Sequence, residues 1–217
     1  MLHAPPPPPV ALSVSPARIT VSAPASRRIT VRNTGREDVV VEAARRAVGE
    51  SAAFKSWVHV LPARQSVPAG RSATFTLRVS RSTTATPGDH SAVVLLTTHQ
   101  PRSEGVAVRL RLGVRLLVRV PGRLVRHVEL GRLRVRKRRL VVWISNRGNV
   151  AVPLARQVTA TLLRHGRVAA RLRPRAPALL LPGGRVALTF TYTRGVRGLF
   201  TVEVRVGRDV RRYRVRL

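Results

Sequence analysis

The sequence lacks cysteine altogether and holds a single methionine. A chain without thiols has no disulfide framework, no thiolate metal site and no cysteine nucleophile. Acidic residues are scarce too: 9 Asp+Glu stand against 41 Lys+Arg, for a formal net charge of +32. Only Glu37 and Asp38 are neighbours, so there is little material for paired acid/base chemistry. Aromatic residues amount to 4%, a poor supply for the stacked platforms of a single-strand binder. No run approaches the roughly 18 apolar residues of a membrane-crossing helix. Met1, Leu2, His3 and Ala4 show neither the basic start nor the apolar centre of a secretory signal.

What remains is ample for folding. The 217 residues are 44% hydrophobic, enough for one large or two small cores and against generic disorder. Of the 41 cations 39 are Arg, with only Lys55 and Lys137 as lysines. The charge is uneven: residues 1–101 carry 12 cations and 5 acids, residues 102–217 carry 29 and 4. That asymmetry points to an anionic partner for the second half.

Apolar residues recur with period two. Phe75, Leu77 and Val79 alternate with Thr74, Thr76 and Arg78; Val186, Leu188, Phe190 and Tyr192 alternate with Ala187, Thr189 and Thr191. Phe200, Val202, Val204 and Val206 follow the same rule. Alternation puts one set of side chains on a buried face and the other in water, the signature of antiparallel strands. No segment carries an amphipathic helical pattern. The chain reads as all-β.

Three landmarks occur twice in the same order. Asn33-Thr34-Gly35 returns as Asn146-Arg147-Gly148, and Pro68-Ala69-Gly70-Arg71 returns as Pro182-Gly183-Gly184-Arg185. Gly88-Asp89-His90 returns as Gly198-Leu199-Phe200. The repetition predicts two tandem immunoglobulin-like antiparallel β-sandwiches of about a hundred residues each. The expected divisions are a Pro-rich disordered start over 1–11, a first domain over 12–121 and an Arg-rich second domain over 122–217. The turn dipeptide Pro121-Gly122 marks the boundary. His90, in the position of Phe200, reads as a packed corner residue.

No active site emerges. Glu37 and Asp38 read as a solvated turn, and the six histidines show no metal-ligand spacing. Asp89, His90 and Ser91 contain triad residue types, but successive strand residues face opposite ways. Gly183, Gly184 and Gly195 precede no helix that would cradle a phosphate. The expectation is a protein that is not an enzyme, with no metal, no cofactor and no transmembrane span.

Two features could bind. Over 105–120 the residues Val106, Val108, Leu110, Leu112, Val114, Leu116, Val118 and Val120 alternate with others that include Arg109, Arg111, Arg115 and Arg119. The plain reading is the last strand of the first module, with Gly113 as a bulge where it changes partner. The sharper reading is an edge, around Val106, Val108, Arg109, Leu110, Arg111 and Leu112, that adds to a partner's sheet. The second feature is the cluster Arg132, Arg134, Arg136, Lys137, Arg138 and Arg139. It reads either as a solvated surface or as a polyanion-binding row of guanidinium groups.

The segments Ile19-Thr20-Val21, 29–35, 57–62, 67–71, 85–90 and above all 105–122 resemble the N-terminal module of PapD-like bacterial surface proteins. They are also similar to envelope proteins with a peptidoglycan-binding, WxL-interacting domain. The second module resembles generic immunoglobulin-like domains of secreted bacterial proteins. The resemblance implies an extracytoplasmic, non-enzymatic binding or scaffolding role in the cell envelope, with a protein or an anionic cell-wall polymer as partner. It also implies a carboxylate anchor built from Arg18 and one of Arg109 or Arg111, after the basic residues of pilus chaperones. From another class, the basic second half suggests an intracellular nucleic-acid-binding protein.

Overall fold

The computed structural model describes residues 10–48, 54–80, 85–99, 109–155, 157–193 and 196–217. The proline run 5–9, together with Val106 and Val108 of the expected edge, lies outside the described residues. The chain forms two compact units, Met1–Gly122 and Arg123–Leu217, each with its own apolar core.

In the first unit alternation decides which side chains meet. Strand β1 (Leu12–Ser15) and β2 (Arg18–Ser22) are two halves of one extended segment separated by Pro16. Proline has no N–H to give a ladder, and the chain passes there from one sheet to the other. Strands β3 (Ala25–Asn33), β4 (Val39–Val48), β5 (Val58–Leu61), β6 (Arg64–Val67), β7 (Ser72–Val79), β8 (Gly88–His99) and β9 (Arg111–Val120) complete the unit. One sheet runs β1-β3-β7-β5 and the other β2-β9-β8-β4-β6. Ile29, Phe75, Leu77, Leu96 and Leu116 interlock between them, fully buried. One helical turn, α1 (Phe54–Trp57), precedes β5. One pairing is not antiparallel: β2 runs parallel to β9, because the segment that crossed from the other sheet arrives in that direction.

The second unit holds β10 (Val128–Arg136), β11 (Arg139–Asn146), β12 (Val152–Pro153), β13 (Val158–Arg164), β14 (Arg167–Leu172), β15 (Leu179–Leu180), β16 (Arg185–Thr191), β17 (Leu199–Val206) and β18 (Asp209–Arg216). A sheet β10-β11-β16 faces a sheet β14-β13-β17-β18, with β12-β15 as a small ribbon. Leu140, Ile144, Leu154, Leu162, Leu188 and Phe190 fill the space between. The predicted inward residues of 73–79, 186–192 and 200–206 are buried, except that Val186 is only partly so.

The repeated Asn-x-Gly is one device built twice. Asn33 donates from Nδ2 to Glu37 O (2.7 Å) and Val67 O (3.0 Å), and its Oδ1 accepts the Gly35 N–H (2.9 Å). Asn146 donates to Val150 O (2.9 Å) and Leu180 O (3.2 Å) and accepts from Gly148 N–H (3.0 Å). Each partner recurs at a constant offset of 113 (33 to 146, 35 to 148, 37 to 150, 67 to 180). A buried carboxamide satisfies both its donors and its acceptor only by spanning a turn and the next strand end together. It thus pins the corner of the sandwich. Gly148 is required by contact as well: a Cβ there would lie 2.2 Å from Val125 O.

Candidate binding surfaces

The last strand of the first unit, β9, is bonded along one side to β8, with Leu95 opposite Gly113 and Thr97 opposite Arg111. Gly113 therefore sits in regular register and does not form the expected bulge, because β8 stays its partner on both sides of that glycine. On the other side β2 pairs only from Arg115 to Arg119. Among the described residues no strand pairs with 111–114 on that side. The Arg115 N–H donates to Ala17 O (3.0 Å), towards β2. Successive strand N–H groups alternate sides, so the N–H groups of Gly113 and Arg111 point to the same, open edge. Leu110 N–H turns the other way, to Thr98 Oγ1 (2.9 Å). Leu110 and Leu112 are half-buried against the core, while Arg109 and Arg111 are exposed.

In the second unit, β10 and β11 form a hairpin closed by Lys137 and Arg138, both at positive φ (38° and 61°), the geometry of a type I′ turn. The register aligns Arg136 with Arg139 and Thr191, Arg134 with Val141 and Thr189, and Glu129 with Ser145 and Arg185. Between these rows Trp143 lies beside Ala187, opposite a bulge at Gly131 and Arg132. All six residues of the expected polyanion cluster are exposed. Trp143 stands outside the core: it is 43% exposed, since Leu140, Val142 and Ile144 take the inward positions of β11. The Arg185 guanidinium lies over its ring, 4.9 Å from the centroid. A cleft of about 580 Å³ adjoins the array, lined by Arg139, Arg173, Pro174, Arg175, Thr189 and Thr191.

The carboxylates are engaged elsewhere. Asp89 lies buried in a two-point pair with Arg119 opposite it (2.8 and 2.9 Å); the hydrogen bond to Asp89 holds the Arg119 guanidinium's pKa above its usual value. His90 places Nε2 2.8 Å from Thr86 O and its ring edge-on to Trp57 at 5.6 Å, a packed corner. Asp38 accepts the Ala69 N–H (2.8 Å), a turn contact. Glu129 holds Arg147 (2.7 Å), and Glu203 holds Arg205 and Arg212 (3.2 and 3.0 Å). These arginines keep both carboxyls below the usual carboxylate range.

One seam escaped sequence reasoning. Asp209 Oδ2 accepts the Val128 N–H (3.1 Å), the Arg211 guanidinium donates to Leu130 O, and the Tyr213 hydroxyl donates to Gly131 O (2.6 Å). Alternate side chains of β18 thus cover the backbone of β10, a terminal strand of its sheet. That is a common defence of a sheet edge.

No family model matches the chain, and no curated protein matches it in sequence. Solved structures match nearly its whole length. The class 5 fimbriae chaperone CfaA aligns over 95% of this chain and 100% of its own, with TM-score 0.59 and 12% identity. The YadV chaperone covers 95% and 99%, at TM-score 0.57 and 14% identity. A chain of the Salmonella enterica complex of the SafA pilin with the SafB chaperone covers 95% and 96%, at 0.55 and 14%. The fold is PapD-like. On this PapD-like frame, the basic pair implied by resemblance needs correction. Arg18 is paired in register with Arg115, not with Arg109 or Arg111. Both are exposed on the same sheet face, about 4.8 Å apart across the ladder. Arg111 lies four residues away along β9, about 13 Å at a strand's rise.

Proposed function

We propose that this chain is a non-enzymatic, extracytoplasmic binding protein that takes an extended segment of a partner protein onto the open edge of β9. The single observation that carries the reading is that edge, where Arg111 and Gly113 aim their N–H groups away from β8. An incoming strand would bond to them and cover the half-buried Leu110 and Leu112. Arg18 and Arg115, side by side just past the open stretch, are placed to clamp the segment's terminal carboxylate with two guanidinium groups. Support for the partner class comes from the similar structures, which are chaperones and include a complex with a pilin and one with a tip adhesion subunit.

The test uses synthetic peptides of alternating apolar and polar residues, ending in a free carboxylate or an amide. Titration should give saturable binding that is about tenfold weaker for the amide, as expected for loss of a charge-assisted bond pair. Arg111→Pro removes one outward N–H without touching the β8 ladder and should abolish binding while circular dichroism stays unchanged. Binding that survives Arg111→Pro at full strength would exclude strand addition. Cell fractionation that finds the chain in the cytoplasm would refute the location.

A further inference from the structure

The second unit carries 24 of the 41 cations against three acids, Glu129, Glu203 and Asp209. Glu203 serves the other sheet and Asp209 faces β10 from the seam. Glu129 shares the outer face but lies in the row farthest from the hairpin turn, beside Arg185 and held by Arg147. Among the described residues no carboxylate pairs with Arg132, Arg134 or Arg136 along β10, or with Arg139 on β11. The hairpin end of the outer face of β10-β11-β16 is therefore left with unneutralised guanidinium groups, and Arg185, in the Glu129 row, closes the far side. An exposed Trp143 stands in the middle.

We infer that this face docks on a membrane surface rich in anionic lipid. Neighbouring strands space these cations about 4.8 Å across and about 6.8 Å along the sheet, so they meet a layer of charges in two dimensions. A linear polymer would engage one row at a time. An amphipathic indole set among the cations belongs at a headgroup layer. A single-stranded nucleic acid fits less well, because it needs a groove and successive aromatic platforms, and here one aromatic lies under a guanidinium. The cleft lined by Arg139, Arg173 and Arg175, with Thr189 and Thr191, offers a seat for a headgroup phosphate. This surface is independent of the β9 edge.

The experiment is co-sedimentation with vesicles of phosphatidylcholine alone or with a third of the lipid replaced by phosphatidylglycerol. The full chain should bind only the anionic vesicles, and less so as salt is raised. The Trp143 emission should shift to the blue on binding, while Trp57, buried in the first unit, contributes no change. Each cation near an anionic leaflet accounts for roughly a fivefold change in partition. Arg132→Gln, Arg134→Gln and Arg136→Gln together should thus weaken binding about a hundredfold. A control carrying Arg167→Gln, Arg171→Gln and Arg214→Gln removes the same charge from the other sheet and should change binding far less. Equal losses in the two triple variants, or binding without a Trp143 shift, would overturn the assignment. So would retention of an oligothymidylate strand with no vesicle binding.

Discussion

Replacing Asn146 by Ala tests how the sandwich corner is held. The carboxamide makes three hydrogen bonds in a buried position: two donated to Val150 O and Leu180 O, one accepted from Gly148 N–H. Alanine leaves the two carbonyls without that donor, while Gly148 N–H keeps its bond to His127 O (3.2 Å). At about 1 kcal/mol per orphaned neutral group, the loss is about 2 kcal/mol. A unit of this size is stable by roughly 5–14 kcal/mol, so about a seventh to two-fifths of its stability rests on one side chain. Equilibrium urea unfolding, followed by circular dichroism, should show a midpoint lowered by about 0.7–2 M at unchanged slope. Asn146→Asp should cost more, since it keeps the acceptor for Gly148 but turns a carboxylate towards two carbonyls. Asn33→Ala should behave alike in the first unit. A loss below about 1 kcal/mol in both alanine variants would refute the view that the repeated Asn pins each corner.

Three further outcomes follow from named contacts. Arg119→Ala leaves the Asp89 carboxylate buried without its two-point partner and should destabilise the first unit by about 3–5 kcal/mol, read by urea unfolding. Tyr213→Phe deletes the hydroxyl bond to Gly131 O and should cost about 1 kcal/mol. Burial raises the Tyr213 phenol above its ordinary range. The native chain should therefore keep that contribution below pH 10 and lose it as pH climbs through the raised value, whereas the Phe variant shows no such step. Arg138→Gly, at a positive φ of 61°, should stabilise the hairpin by about 1 kcal/mol, seen as a higher thermal midpoint.

Much of the fold is legible in the order of residues, because a strand's side chains alternate and a buried face must be apolar. Phe75, Leu77, Phe200 and Val202 declare their faces without knowledge of any neighbour. The doubled Asn-x-Gly likewise shows itself as repetition. Trp143 was open to the same logic, since Leu140, Val142 and Ile144 claim the inward places beside it. The candidate sites were only half legible. Arg132, Arg134 and Arg136 announce a charged strand face, and Leu110 and Leu112 an apolar edge, but neither states what lies across from it.

Composition and alternation alone therefore determined that this is an all-β chain in two repeated modules, with an arginine-rich second half. Register was decided only by tertiary structure. The pairing of Arg18 with Arg115 spans 97 positions, and it depends on a proline passing the first strand between sheets. The same holds for the open edge at 111–114, the ion pair of Asp89 with Arg119, and the cover of β10 by Asp209, Arg211 and Tyr213. Period-two patterning specifies a face but carries no information about which distant strand will complete the ladder. That choice is made when the two cores close.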